Sequence, residues 1–175
     1  MQFDHFTIRQ LTWHDTHAFF QMVERNRPRL EDFFTGTVSR TRTIESTREF
    51  VLDITRRAEE KKYYPYVITD DTRETIIGFL DLKNIDWNIP KAEIGGYMDE
   101  AYAGMGLMSK AFTLFCDHSF QKHGFQKLFL RTHGSNRAAR GIAEKSGFQM
   151  EGILRRDYKT TSGQLVDLIY YGKLK

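Results

Sequence analysis

Residues 91–111 have the sequence KAEIGGYMDEAYAGMGLMSKA, which combines a strand pattern, a glycine-rich turn and the start of a helix. The strand, residues 91–98, contains Gly95 and Gly96 where a strand would prefer side chains. Glycines inside a strand mark a bulge or the close approach of a backbone or a ligand. Two more glycines lie in the turn at 103–106. The stretch therefore predicts a strand and a helix joined by an accessible backbone.

The chain after this turn predicts a crossover connection. The helix should run to about His123, where Gly124 is well placed as its stop, and residues 127–132 read as the next strand. A helix that links two strands in this way makes them parallel. If a bulge at Gly95 and Gly96 parts these two strands, a cleft opens beside the start of the helix.

The remaining elements surround this unit. Thr12 and Asp15 form a near capping box for a helix from about Trp13 to Arg25, and Pro28 begins a short helical turn to Phe33. Further helices are predicted to begin near residues 46 and 135. Alternating apolar residues predict five further strands, at 6–9, 64–68, 76–80, 150–158 and 166–173. The order indicates a mixed sheet flanked by helices.

Length and composition favour a single domain, residues 1–175. A chain of 175 residues buries roughly 70% of the surface that its unfolded form exposes, so it needs no disulfide or structural metal. Cys116 is the one cysteine and no charged-then-apolar leader precedes the fold, which favours a cytoplasmic protein. The longest apolar runs, such as 76–80, are far shorter than the ~20 residues of a membrane span.

The charge pattern argues against nucleic acid as a partner. Twenty-six Lys and Arg against 23 Asp and Glu give a net charge of +3 with the signs interspersed, whereas nucleic-acid binding expects a clustered basic face. The aromatic residues fall mostly at strand and helix-face positions, which favours core packing over base stacking. Anionic small ligands remain open.

The glycine-rich turn is a candidate phosphate site. A helix start presents N–H groups without internal partners and about half a positive charge, although a tight entry turn would explain the glycines equally well. A P-loop would need Gly-Lys-Ser/Thr where this chain has Gly106, Leu107 and Met108, and the dinucleotide fingerprint also fails. No metal site is expected, because the histidines are scattered and His118 lies two residues from Cys116.

Five segments carry a family resemblance: Glu93 to Met98, Tyr102 to Ala111, Asn136 to Ala139, Ala143 to Gly152 and Asp167 to Tyr171. Together they resemble the GNAT superfamily of N-acetyltransferases, and within it the RimJ/RimL branch that acetylates protein N-termini, notably of ribosomal proteins. The resemblance implies an α/β fold of the α+β type. Its sheet would be mixed and mostly antiparallel, with seven strands, a splayed parallel central pair and about four flanking helices.

The resemblance implies acetyl-CoA as co-substrate, with direct attack of an amine on the thioester. The pyrophosphate would lie on backbone amides of Ala103, Gly104, Met105, Gly106, Leu107, Met108 and Ser109. The pantetheine arm would lie along Ile94, Gly95, Gly96 and Tyr97, with Asn136 in contact with it.

The chain departs from the family pattern in three places. Ala103 and Met108 replace side chains typical of the phosphate loop, but the amides remain. Ala139 stands where RimL-like members have a serine that supplies a possible acid. Water, Ser135 or Tyr158 would substitute, or no acid is needed. The third departure is a one-residue offset at the acidic base of the last hairpin.

The candidate bases are Glu93 and Asp157, and Tyr158 shares the offset position with Asp157. Each has a structural alternative. Glu93 could pair with a cation across the strand, and Asp157 could form a surface ion pair with the neighbouring arginines Arg155 and Arg156.

The doubtful base favours a particular acceptor. An α-amine, with a pKa of ~7.7 to 8.0, is about 10% neutral at pH 7, whereas a lysine amine near ~10.4 is neutral in well under one molecule in a thousand. A protein or peptide N-terminus is therefore expected, with Arg27 and Arg29, placed between helices, favouring an acidic or carbonyl-rich acceptor. The alternatives are a small amine such as a polyamine, amino acid or drug, and a non-catalytic acyl-CoA sensor. The family resemblance is compatible with a homodimer.

Overall fold

The computed structural model describes residues 1–31 and 33–175. Within them, eight strands form one sheet in the order β1-β2-β3-β4-β5-β6-β8-β7. The strands are β1 (Gln2–Phe3), β2 (Phe6–Gln10), β3 (Tyr64–Asp70), β4 (Thr75–Asp86), β5 (Lys91–Met98), β6 (Lys127–His133), β7 (Gln149–Lys159) and β8 (Leu165–Leu174).

Five α-helices flank the sheet in the described residues. They are α1 (Thr16–Leu30), α2 (Thr35–Arg40), α3 (Ile44–Glu59), α4 (Leu107–Lys122) and α5 (Arg137–Lys145). Short 3-10 helices at Trp13–Asp15 and Glu100–Tyr102 precede α1 and the glycine-rich turn. Over residues 1–31 and 33–175, no helix has both the length and the apolar character that a membrane crossing requires.

The predicted sheet is confirmed. All seven predicted strands are present, and the eighth is the two-residue β1, which pairs with β2 through a turn at Asp4, φ 51°. Strands β5 and β6 are parallel, and every other pair is antiparallel. The connection through α4 is long enough to cross over the sheet, and it makes β5 and β6 parallel.

The end of the first helix differs from the prediction. Helix α1 continues through Pro28 to the buried Leu30, so the separate turn from Pro28 to Phe33 was wrong. Burial of Leu30 on the helix face outweighs the single backbone hydrogen bond that the proline removes. Arg27 and Arg29 consequently lie inside a helix and not between helices. Asp32, part of the predicted segment 26–33, lies outside the described residues.

Two helix starts show how capping acts here. The Thr12 N–H donates to the Asp15 carboxylate at 2.8 Å, which is the reciprocal half of the predicted capping box. Helix α3 begins at Ile44, two residues before the predicted start, because the Thr43 hydroxyl accepts from the Ser46 N–H at 3.2 Å.

The parted strands have a different cause from the predicted bulge. The pairing of β4 with β5 runs without a register shift past Gly95 and Gly96. The pairing of β5 with β6 ends at Glu93 and Phe129, although both strands continue. The glycines instead allow close approach, since a Cβ on Gly96 would lie 2.7 Å from the Phe79 carbonyl oxygen. A cleft thus opens where the parallel ladder stops.

The two faces of the sheet bury separate cores. The α4 face holds Leu80 and Ile94 against Phe112 of α4, whereas the α3 face holds Phe79 and Tyr97 with residues of α1 and α3. Successive residues of a strand point to opposite faces. The cleft between β5 and β6 therefore opens toward both helix layers.

Candidate active site

A cavity of about 420 Å³ occupies the gap between β5 and β6. Its α4 side is mostly apolar and includes Ile94, Gly96, Met108, Phe112, Leu130, Ala139 and Ile142. Its α3 side is charged and aromatic and includes Arg40, Arg57, Tyr63, Asp81, Lys83, Glu93, Arg131, Asp157 and Tyr158. The two sides therefore offer different chemistry to molecules that enter from opposite faces of the sheet.

The β5 backbone forms the edge of this cavity. Beyond Glu93 the side of β5 that faces β6 has no ladder partner, so its N–H and C=O groups can pair with another extended molecule. A pantetheine arm is extended and carries amide groups. The apolar wall and the unpaired strand edge therefore fit that arm.

The glycine-rich turn leads from β5 to the start of α4. Gly104 and Gly106 have φ values of 78° and 75°, a backbone conformation that residues other than glycine rarely adopt. The Lys110 N–H bonds to the Gly106 carbonyl at 3.2 Å, so the N–H groups of residues 107–109 precede the helical ladder. These unpaired donors and the positive helix end fit a diphosphate.

Most of the predicted coenzyme residues fall into two groups. Ile94, Gly95, Gly96, Met108 and Asn136 line the cavity. The rest of the predicted loop, Ala103, Gly104, Met105, Gly106, Leu107 and Ser109, lies in the turn and helix start that carry Met108.

Two of the predicted coenzyme residues also make contacts within the protein. The Tyr97 ring is buried against Phe34 and Phe79, with centroids 4.9 and 5.6 Å away, and does not line the cavity. Burial raises the pKa of Tyr97, and the Asp81 charge adds to this effect. The Asn136 side chain caps α5 by accepting from the Ala139 N–H at 3.1 Å, which fixes its orientation at the cavity wall.

Arg131 joins the two candidate bases. Its Nη2 donates to Glu93 at 2.9 Å and its Nη1 donates to Asp157 at 2.8 Å. Glu93 also accepts from Asn84 Nδ2 at 2.7 Å. Burial opposes the charge on Arg131, but the hydrogen bonds and charges of the two carboxylates raise its pKa. The sequence analysis did not identify Arg131, although strand alternation places it on the same face of the sheet as Phe129.

An irregularity in β7 brings Asp157 and Tyr158 to one cavity. The four steps of β7 from Leu154 to Tyr158 lie opposite two steps of β8, from Leu168 to Val166. Arg156, within this bulge, has a φ of 53°. The Arg156 N–H donates to the Asp167 carboxylate at 2.8 Å, which holds this bulge. Neighbours in a regular strand point apart, so the bulge is why both side chains line the cavity.

The Tyr158 hydroxyl connects β7 to the start of α2. It donates to Thr35 Oγ1 at 3.0 Å and accepts from the Thr35 N–H at 3.2 Å. Of the two side chains considered as substitutes for the missing serine, Tyr158 lines the cavity. Ser135 is exposed and contacts His133 Nδ1 at 2.6 Å. Ala139 itself lies in the cavity wall without a hydroxyl.

A second polar cluster was not predicted. Asp81 is buried, accepts from the Tyr63 hydroxyl and lies 3.4 Å from Lys83 Nζ. A Cβ on Gly95 would lie 2.5 Å from Asp81 Oδ1, so the glycine makes room for this carboxylate. Burial alone would lower the pKa of Lys83, but the Asp81 and Glu93 charges raise it. Lys83 is therefore a fixed cation beside the strand gap.

The predicted acceptor arginines do not line the cavity. Arg27 donates to the Glu24 carboxylate and to the Val38 carbonyl at 3.1 Å, and Arg29 is 3.5 Å from the Met98 carbonyl. Burial raises the pKa of Cys116 to about 12, which keeps its thiol protonated. In the described residues, no group of three or more His, Cys, Asp or Glu is arranged to hold a metal ion.

A parted parallel pair, a helix start that suits a diphosphate and a charged opposite wall define an acyl-CoA-dependent transferase. Residues 5–149 match the family described as Acetyltransferase (GNAT) domain, and the chain belongs to that family. It transfers acetyl groups with acetyl-CoA as co-substrate. Its motifs and similarities are of the RimJ/RimL type, as the sequence predicted.

Known proteins of this type resemble the chain over nearly its full length. "Putative ribosomal N-acetyltransferase YdaF" of Bacillus subtilis (strain 168) is 27% identical over 98% of this chain and 92% of that protein. The ribosomal-protein-S5-alanine acetyltransferase of Vibrio fischeri has a TM-score of 0.92 at 20% identity, covering 99% of this chain and 95% of that one. RimL, the ribosomal L7/L12 α-N-protein acetyltransferase, in complex with coenzyme A, has a TM-score of 0.89 at 20% identity, with 97% and 94% covered.

Proposed function

We propose that this protein acetylates the N-terminal α-amine of a protein, such as a ribosomal protein. The observation that carries the proposal is the state of the candidate bases, because both are tied to Arg131. Each carboxylate is held in an ion pair, so the site favours an acceptor that needs little help in losing its proton. Such a site suits an α-amine, which is partly neutral near pH 7, better than a lysine amine.

The α4 side is proposed to hold acetyl-CoA. Backbone amides at 104–109 would bind the diphosphate, and the free edge of β5 at 94–97 would pair with the pantetheine arm. Asn136 would contact that arm from the opposite wall. The thioester then lies at the junction with the α3 side, where an amine can attack it directly.

Asp157 is the stronger candidate for the general base. Its side chain is 37% exposed, against 8% for Glu93, and it makes one hydrogen bond to Arg131. Glu93 accepts from both Asn84 and Arg131 on one oxygen. We assign Glu93 to positioning: it orients Arg131, and Arg131 orients Asp157.

Tyr158 is the proposed proton donor to the departing thiolate. Its hydroxyl lies at the cavity wall and is fixed by two hydrogen bonds to Thr35. The adjacent surface next to α2 offers a path for the rest of an acceptor chain, since Thr35 and Gly36 line both the cavity and a second depression that includes Arg27. Arg27 would contact the chain there, beyond the first residues, and Arg29 would act only through the neighbouring backbone.

The acceptor class also draws support from the names of similar proteins. Both RimL and the Vibrio fischeri protein are named for acetylation of ribosomal proteins. Four cations and three carboxylates line the cavity, which does not favour a polyamine. We take the active unit to be the whole chain, 1–175, because both faces of the sheet contribute to the cavity. We propose that it acts in the cytoplasm.

An acyl-CoA sensor is the second candidate, and Ala139 in the cavity wall is the observation that favours it. Isotope-labelled acetyl-CoA mixed with a panel of peptides and small amines separates the two. We expect label on peptides with free N-termini. Tight coenzyme binding without transfer to any acceptor would favour the sensor, and transfer only to small amines would favour a small-molecule acetyltransferase.

A homodimer remains part of the proposal. The edge hairpin of β7 and β8 exposes Ile153 by 56% and Leu165 by 55%, which is apolar surface that a second copy could cover. Light scattering of the purified protein measures the mass in solution. A mass of one chain at all concentrations would exclude the dimer.

A further inference from the structure

The carboxylates that line the cavity are already paired with cations. Asp81 pairs with Lys83 at 3.4 Å, and Arg131 pairs with Glu93 and Asp157 at 2.9 and 2.8 Å. These contacts neutralise most of the charge on the α3 side. They leave little electrostatic attraction for a positively charged side chain of the acceptor.

Arg57 is the exception among the cavity-lining charges. Within residues 1–31 and 33–175 its side chain has no ion pair and no hydrogen bond to another residue. The other two cavity arginines on this side are both paired, Arg40 with Asp53 at 3.1 Å and Arg131 with Glu93 and Asp157. Arg57 is half-buried, so its positive charge is only partly screened by water.

The position of Arg57 is fixed by an aromatic ring. Its guanidinium carbon lies 5.2 Å from the centroid of Tyr63, and the hydroxyl of that ring donates to Asp81. A guanidinium stacked on a ring leaves its N–H edge free for two parallel hydrogen bonds to a carboxylate. Arg57 is therefore held one tyrosine ring away from the carboxylate that borders the strand gap.

We propose that Arg57 binds an acidic side chain of the acceptor, so that preferred substrates are N-termini with Asp or Glu close to the first residue. This inference rests on the proposed function. The Tyr63 ring and its contact with Arg57 together place Arg57 roughly 10 Å from the carboxylate that borders the strand gap. About two to three extended residues cover that distance. The acidic residue is thus placed at about the second or third position. The acidic acceptor that Arg27 and Arg29 indicated is here assigned to a different arginine.

The neighbouring arginine provides a matched control. Arg56 lies next to Arg57 on α3 but does not line the cavity. It is paired with Asp53 at 3.2 Å and with Glu60 at 3.6 Å, and its side chain is 66% exposed. Substitution of either arginine removes one positive charge from the same helix. Only Arg57→Gln removes a charge from the cavity.

The test is steady-state kinetics with three peptides that begin with serine and carry Glu, Gln or Lys at positions two and three. For the unmodified protein, kcat/KM for the Glu peptide should exceed that for the Gln peptide about tenfold, as a charge-assisted hydrogen bond provides. The preference should shrink as salt is added. Arg57→Gln should remove the preference by raising KM for the Glu peptide, Arg57→Lys should retain part of it, and Arg56→Gln should leave it intact.

Several results would overturn the inference. Equal rates for the three peptides with the unmodified protein would do so without any variant, and so would an Arg57→Gln protein that keeps the preference. An Arg56→Gln protein that loses as much would show a general effect of charge on α3. No transfer to any peptide while coenzyme binds would instead overturn the proposed function, and this inference with it.

Discussion

Arg131 determines how the two candidate bases can act. It holds Glu93, buried on β5, and Asp157, in the bulge of β7, in one chain of ion pairs. A buried carboxylate that loses its partner is costly, whereas an accessible one can be solvated. The same arginine therefore gives the two residues separable roles, one in stability and one in the reaction.

Two substitutions should separate these roles. Asp157→Asn should lower kcat about 100-fold, the contribution of a general base, and the remaining rate should rise between about pH 7 and pH 9 as the amine becomes neutral. Glu93→Gln should lower the free energy of unfolding by about 1–3 kcal/mol with a much smaller loss of kcat. Kinetics and urea unfolding of both variants measure the split. A normal pH dependence and kcat in Asp157→Asn would show that Asp157 is not the base.

The glycine-rich turn and α4 act as one element at the scale of secondary structure. Gly104 and Gly106 both have positive φ, and a Cβ on either would have no heavy atom within 4 Å. A side chain there would strain the backbone without steric conflict. Because the N–H groups after Gly106 are the proposed diphosphate donors, their orientation depends on this backbone conformation.

Gly106→Ala should weaken coenzyme A binding about tenfold, because the strained turn can relax only by moving those N–H groups. It should also destabilise the fold by about 1–2 kcal/mol, the penalty for a left-handed alanine. Gly124→Ala is the control at the other end of α4, with a φ of 77° and no heavy atom within 4 Å of an added Cβ. Calorimetry should find unchanged coenzyme affinity in this control despite a similar loss of stability. Equal loss of affinity in both variants would count against the diphosphate site.

Strand alternation and the length of the crossover were enough to predict the sheet and its parallel pair. They could not predict the site completely. Asp81, Lys83, Arg57 and Arg131 line one cavity because of the register between strands and the packing of α3 on one face, which local patterns do not encode. The end of α1 at Leu30 was missed for a related reason, since tertiary burial overrode the local effect of Pro28.

The whole molecule also contains a titratable cluster whose residues do not line the cavity. The Tyr66 hydroxyl contacts Nε2 of His118 and of His123, each at 3.2 Å, and His123 stacks on Tyr64 at 4.0 Å. Burial lowers the pKa of His123 to about 4, helped by the charges of His118 and Lys122. Burial also lowers the pKa of His118, with contributions from the N-terminal amine and Lys122.

This cluster should make stability depend on pH. The folded protein keeps His123 neutral, while the unfolded chain binds a proton below about pH 6.5, so stability is full above that pH and is lost as the pH falls toward 4. His123→Gln should reduce the loss of unfolding free energy between about pH 7.5 and about pH 5. His17→Gln, at an exposed histidine, should not. An unchanged loss in His123→Gln would show that other groups cause the acid sensitivity.

The central claim is that the cavity transfers acetyl groups to an α-amine. The direct measurement uses one peptide that has a free N-terminus and one internal lysine, incubated with acetyl-CoA near pH 7, with fragment mass spectrometry to locate the acetyl group. We predict acetylation of the N-terminus and an unmodified lysine. Acetylation of the lysine alone, or of neither amine while the coenzyme binds, would contradict the account.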